Sequence, residues 1–219
     1  MKKTIVAVAL AGLFASGAAM AKSGAYIGGN LGIGGMDTSS MNTSIYTSDS
    51  WNVFSDDLHG FSWNIHTGYL FGESNFQYGA ELGYSQYADN KYRAAKTSTS
   101  EWEEFKYSGY NIDLLAVGKY NFNNGFNLFG KAGIARTTQK LKYSDDDGQN
   151  SKVTKHKVLP KIAMGVGYDL TENWEINAEY SHIFGSKPNA IGSDVDTLSQ
   201  LNNKVASVNM LTLGVNYKF

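Results

Sequence analysis

Hydrophobic and polar residues alternate with a period of two along most of this chain, in eight separate segments. In the first, Ile27, Leu31 and Ile33 alternate with Gly28, Asn30, Gly32 and Gly34. The second sets Phe61, Trp63, Ile65, Thr67 and Tyr69 against Ser62, Asn64, His66 and Gly68. The third sets Tyr78, Ala80, Leu82 and Tyr84 against Gln77, Gly79, Glu81, Gly83 and Ser85. In the fourth, Tyr110, Ile112, Leu114, Ala116 and Tyr120 oppose Asn111, Asp113, Leu115, Val117 and Lys119. The fifth opposes Leu128, Ala132 and Ile134 to Asn127, Lys131 and Gly133, with Phe129 an apolar exception on the polar face, as Leu115 and Val117 are in the fourth. In the sixth, Ile162, Met164, Val166 and Tyr168 face away from Lys161, Ala163, Gly165, Gly167 and Asp169. The seventh opposes Trp174, Ile176, Ala178 and Tyr180 to Glu175, Asn177, Glu179 and Ser181. The eighth opposes Leu211, Leu213, Val215, Tyr217 and Phe219 to Met210, Thr212, Gly214, Asn216 and Lys218.

These segments predict strands of about ten residues, the length that crosses a hydrocarbon layer at a tilt near 45°. The connections alternate in length: short near 72–75, 121–125 and 171–173, long and polar near 37–59, 88–106, 138–157 and 185–204. The prediction is all-β: an eight-stranded antiparallel up-and-down transmembrane β-barrel, with tight periplasmic turns and four long external loops. A soluble ligand-binding barrel would turn its apolar faces inward. Here the polar faces carry Glu81, Asp113, Lys119, Lys131, Lys161, Asp169, Glu175 and Glu179 deep within the strands. A hydrated interior with lipid outside accommodates them; an apolar pocket would penalise each one by several kcal/mol. Aromatic residues gather at both strand ends as interfacial girdles, Phe61, Trp63, Tyr84 and Tyr180 towards the long loops and Tyr69, Phe76, Tyr120, Tyr168, Trp174 and Tyr217 towards the short turns.

The first residues add the compartment. Lys2 and Lys3 precede an apolar run from Ile5 to Phe14, and Ala19 and Ala21 stand at the −3 and −1 places of a cleavage site. The expectation is a signal peptide over 1–21 and a mature barrel domain over 22–219. Without Lys2 and Lys3, 17 of the 19 basic side chains remain against 20 acidic ones. No basic cluster marks a nucleic-acid partner. The chain has no cysteine, which excludes disulfides and thiolate metal sites. Its 24 Gly, 14 Tyr, 11 Phe and two Pro suit a barrel in which every second strand residue meets lipid.

The ending, Asn209-Met210-Leu211-Thr212-Leu213-Gly214-Val215-Asn216-Tyr217-Lys218-Phe219, resembles the last strand of the outer membrane protein A family, which groups with small barrels such as opacity-type surface antigens. Gly79-Ala80-Glu81-Leu82-Gly83-Tyr84 and Ala178-Glu179-Tyr180 resemble it more weakly. The resemblance implies Sec export to the outer membrane. It also implies an assembly signal in Leu211, Leu213, Val215, Tyr217 and Phe219, read by the barrel assembly machinery. Full-length members continue into a peptidoglycan-binding domain, and wall anchoring is not expected here. The family's charged gate does not carry over, because Asn177, Val117 and Gly167 stand where charged partners would be expected.

Counted from the short-turn end, Glu81, Lys131 and Glu179 fall in one layer across a lumen only wide enough for side chains. Asp113 and Lys161 extend this network upwards, and Lys119, Asp169, Glu175 and Lys218 form a second layer near the periplasm. A polar plug and a narrow ion path both remain open readings of these charges. Ser181 and His182 alternate to opposite faces and cannot form a nucleophile–base pair. His59, His66 and His156 are scattered. Asp145-Asp146-Asp147-Gly148 lacks the rest of a calcium loop, and the glycines of 28–35 precede no helix and so make no phosphate loop. No metal or cofactor is expected. The expected role is structural and interactive, with Tyr46, Trp51, Tyr92 and Trp102 in loops available to a host or surface ligand, and outer-membrane lipid and lipopolysaccharide as surroundings. A pore is the alternative, and a lipid-modifying enzyme a third.

Overall fold

A computed structural model describes residues 23–37, 51–56, 60–72, 75–96, 102–145, 150–186 and 205–219. Among the described residues nine strands form one antiparallel sheet: β1 (Gly24–Met36), β2 (Trp51–Asp56), β3 (Gly60–Phe71), β4 (Phe76–Lys96), β5 (Trp102–Asn121), β6 (Phe126–Asp145), β7 (Asn150–Asp169), β8 (Trp174–Ile183) and β9 (Val208–Lys218). The order β4-β3-β1-β9-β8-β7-β6-β5 closes through β4–β5, so eight strands make the wall and β2 adds to the edge of β4. No helix among the described residues is long and apolar enough to cross a membrane.

The register fixes the shape. A row of paired residues leaves β4 at Phe76, passes Tyr120, Leu128, Val166, Ala178, Leu213, Leu31 and Trp63, and returns to β4 at Gln86, ten residues further on. A stagger of ten over eight strands corresponds to a strand tilt of about 45°. Because side chains alternate, this whole row faces outward, and the predicted facing follows: Leu31 is 61% and Leu213 68% exposed, whereas Glu81 is 4% and Asp113 3% exposed. Exposed aromatics ring the turn end, where Tyr69 packs on Phe71, Phe126 on Tyr168 and Trp174 on Tyr217. At the other end Tyr84 stacks between Trp63 and Tyr110.

The short turns are tight. Gly72 (φ 105°) and Gly125 (φ 85°) adopt the left-handed backbone that a side chain disfavours. Thr171 caps the third turn, its Oγ1 accepting from the backbone N–H groups of Asn173 and Trp174.

Two of the predicted long loops are corrected. The ranges 88–106 and 138–157 read as polar and irregular, yet β4 continues to Lys96, β5 begins at Trp102, β6 continues to Asp145 and β7 begins at Asn150. These strands are 20 or 21 residues long, twice the predicted length. The reason lies in their surroundings: above the apolar belt both faces can be polar, so the period-two signal vanishes while pairing continues. A bulge between Tyr87 and Asn90 shifts the register where β4 leaves the belt. One side of the rim thereby rises as a five-stranded sheet, β2-β4-β5-β6-β7, above the ends of β8, β9, β1 and β3. Pro160 lies where β7 leaves β8, a position whose missing N–H weakens no ladder.

The signal peptide 1–21, Tyr46, His59, Asp146, Asp147, Gly148 and most of the 37–59 and 185–204 loops lie outside the described residues. Trp51, Tyr92 and Trp102 are placed by their backbone in β2, β4 and β5.

Candidate functional site

Among the described residues, the lumen gathers polar and charged side chains from every wall strand. Its charges form three groups, stacked from the turn end upwards. At the base, Lys119 of β5 is ion-paired with Glu175 of β8, and Lys218 of β9 bridges Asp169 at 2.7 Å and Glu175 at 3.1 Å. Glu175 also accepts from Asn216 at 2.9 Å and Asn127 at 3.2 Å. In the middle, Lys131 of β6 reaches Glu81 of β4 at 2.8 Å and Glu179 of β8 at 2.7 Å. Above them Lys161 of β7 meets Asp113 of β5 at 2.7 Å. All seven residues singled out in the sequence, Glu81, Asp113, Lys119, Lys131, Lys161, Glu175 and Glu179, are buried inside the barrel and ion-paired with one another.

Neutral partners complete these groups, and sequence reasoning did not find them. The Tyr26 hydroxyl donates to Glu81 Oε2 at 2.7 Å, so the middle group spans β1, β4, β6 and β8. Tyr26 belongs to the first alternating segment, on the polar face with Gly28 and Asn30, and that parity was the available signal. His66 sits between Asn216 (2.8 Å from Nε2) and Asn64 (3.0 Å from Nδ1). Glycine makes the room: a Cβ at Gly28 would strike His66 and Asn216, and one at Gly83 would stand 2.6 Å from the Asp113 carboxylate. A cavity of about 590 Å³ opens at the turn end and reaches inward to Glu81 and Lys131, walled by Leu70, Val117 and Phe129. The apolar exceptions Val117 and Phe129 are therefore lumen-facing, and Leu115 is buried there too.

The outer end of the lumen holds an apolar cluster, with Asn90, Thr137 and Gln139 buried beside it, which the alternation did not predict. Met36, Tyr87, Tyr107, Ala135, Leu159, Ile183, Val208 and Met210 form one buried cluster with Val205 and Ala206. Every wall strand except β3 contributes to it. Gln139 grips the 205–207 segment with both ends of its amide, donating to Ala206 O at 3.0 Å and accepting from Ala206 N at 2.9 Å. The Val205 carbonyl accepts from Ser186 N at 2.8 Å, and the Ser207 carbonyl from Asp37 N at 2.7 Å. The segment is tied across the mouth.

Elsewhere, Ser181 points into the lumen and His182 outward, where Asn209 Oδ1 lies 2.7 Å from its Nδ1. His156 bonds Thr138 at 2.9 Å on the raised sheet. Leu211, Leu213, Val215 and Tyr217 lie on the outward face of β9, and Phe219, the next residue beyond it, donates its N–H to Ala25 O at 3.0 Å.

The chain matches the outer membrane protein beta-barrel domain family over residues 5–219. Outer membrane protein P5 of Haemophilus influenzae is 28% identical over 189 residues, covering 82% of this chain and 51% of P5, so the chain spans about half the length of that relative. Among solved structures, OprG from Pseudomonas aeruginosa superimposes with a TM-score of 0.53 at 15% identity, covering 90% of this chain and 97% of OprG. Neisserial surface protein A gives a TM-score of 0.51 at 17% identity, covering 90% and 98%. The likeness to both structures is one of fold. A closed barrel with its apolar face outward and its charges within, matched to that family over nearly its full length, places the chain in the outer membrane protein β-barrel family and in the bacterial outer membrane.

Proposed function

We propose that this protein is a closed anchor that presents a β-sheet at the cell surface for contact with a host or environmental ligand. The observation that carries the reading is the one-sided rise of β4–β7, joined by β2, well beyond the apolar belt. A strand needs only about ten residues to cross; the remainder builds a surface outside the membrane. The lumen supports the closed half of the proposal, since ion pairs cross-link its lower part and an apolar cluster fills its mouth.

The test is adherence of expressing cells to immobilised matrix proteins and glycans, with a variant whose β4–β5 hairpin is cut back to Tyr87 and Gly109 and closed by an Asn-Gly turn. The variant is expected to keep the gel shift of a folded barrel and to lose adherence. Unchanged adherence would remove the presentation role. A narrow ion path is the second reading, favoured by the cavity that reaches Glu81 and Lys131. Steady bilayer conductance abolished by Lys131→Ala or Glu81→Ala would decide for it.

A further inference from the structure

The β6–β7 hairpin carries a set of cations that the lumen does not use. Between the acidic run Asp145-Asp146-Asp147 and Asp169, and from Phe126 to Ser144, the sequence contains no Asp or Glu. The register sorts the hairpin's side chains into two faces. Ala135 with Leu159, Thr137 with Lys157 and Gln139 with Lys155 share the face turned to the barrel axis. Arg136 with Val158, Thr138 with His156, Lys140 with Thr154 and Lys142 with Lys152 share the opposite, lipid-side face.

That second face begins where the apolar belt ends. Ile112, Ile134 and Val158 are exposed at the top of the belt, and Arg136 pairs across the sheet with both Ile112 and Val158. Lys140 stands four residues above Arg136, its Nζ 5.9 Å from the centre of the Tyr110 ring. Lys142 and Lys152 lie side by side one step higher. The positions form a ladder climbing about 2.5 Å per residue at this tilt, from the membrane interface into the headgroup zone. Among the described side chains none of the four cations is ion-paired with a carboxylate. Lys106, on the neighbouring strand, differs, because Asp89 neutralises it at 2.8 Å.

Cations in a solvated loop would need no alignment with the wall. Cations on the lipid side of an outer-membrane wall, stacked over exposed isoleucines and backed by an aromatic ring, meet whatever headgroups pack against that wall. We infer that Arg136, Lys140, Lys142 and Lys152 form a docking site for the phosphate groups of an anionic glycolipid in the outer leaflet. Arg136 binds the phosphate nearest the acyl chains through its two-pronged guanidinium. The three lysines follow the phosphorylated sugars upwards as point charges.

Native mass spectrometry of the full barrel in phosphatidylcholine nanodiscs, titrated with bisphosphorylated lipid A and with its dephosphorylated form, tests the site. The wild type is expected to prefer the bisphosphorylated form at least tenfold, and R136Q/K140Q/K142Q/K152Q to lose that preference. K155Q/K157Q, which removes two charges from the other face, is expected to keep it. The heat-dependent gel shift verifies that both variants are folded. The inference fails if wild type and quadruple variant bind alike, if K155Q/K157Q is equally impaired, or if dephosphorylated lipid A binds as well. It fails too if inorganic phosphate or a soluble sulfated glycan binds the ladder while lipid A does not.

Discussion

The two ends of the lumen fill the same narrow cylinder with opposite chemistry. Towards the periplasm, Lys119, Lys131, Lys161 and Lys218 are matched to carboxylates, with Tyr26, Asn127 and Asn216 satisfying further oxygens. Towards the exterior, Met36, Tyr87, Leu159, Ile183 and Val205 pack as an ordinary protein core. An ion-paired layer is sensitive to loss of one partner, because the other is left buried and unpaired; an apolar layer is sensitive to volume. On the proposed reading, closure of this barrel rests on two layers, and only the outer one excludes water by its nature.

The largest effect is expected from Lys131→Met, which strands Glu81 and Glu179 together. It should lower stability by about 3–5 kcal/mol, read from urea unfolding in vesicles. Exchanging all three residues, Glu81→Gln with Lys131→Met and Glu179→Gln, is expected to restore most of that loss; if the triple variant is no better than the single one, the layer is more than a matched set of charges. Leu159→Ala, in the apolar layer, should cost about 2–4 kcal/mol through the cavity it leaves. Gln139→Ala removes both hydrogen bonds to Ala206 and should cost about 1–3 kcal/mol, with faster hydrogen exchange at the Ala206 amide. Lys106→Ala, which breaks a half-exposed pair with Asp89, is expected to stay within about 1 kcal/mol. A larger loss there would blur the distinction between lumen and surface charges.

Much of this was legible because the barrel wall is written residue by residue. Each strand has lipid on one side and side chains on the other, so Leu82, Ile176 and Leu213 alternate visibly with Glu81, Glu175 and Thr212. The grouping of Glu81 with Lys131 and Glu179 followed from counting up from the short turns. What escaped had no such contrast. Above the belt, strand and loop share one polar composition, and β4–β7 were read too short. Met36, Tyr87, Tyr107 and Ile183 come from distant parts of the chain, and only the stagger of ten residues brings them to one level. The 205–207 segment is three small or β-branched residues, and its role depends on Gln139, a partner 67 positions away in sequence.

The most direct test of the closed-barrel account is ion leakage from liposomes containing wild type, Lys131→Met, or the double variant Leu159→Ser with Ile183→Ser. The account predicts tight vesicles for the wild type and for Lys131→Met, and leakage only when the apolar layer is made polar. Leakage through the wild type, or a pore opened by Lys131→Met alone, would contradict it.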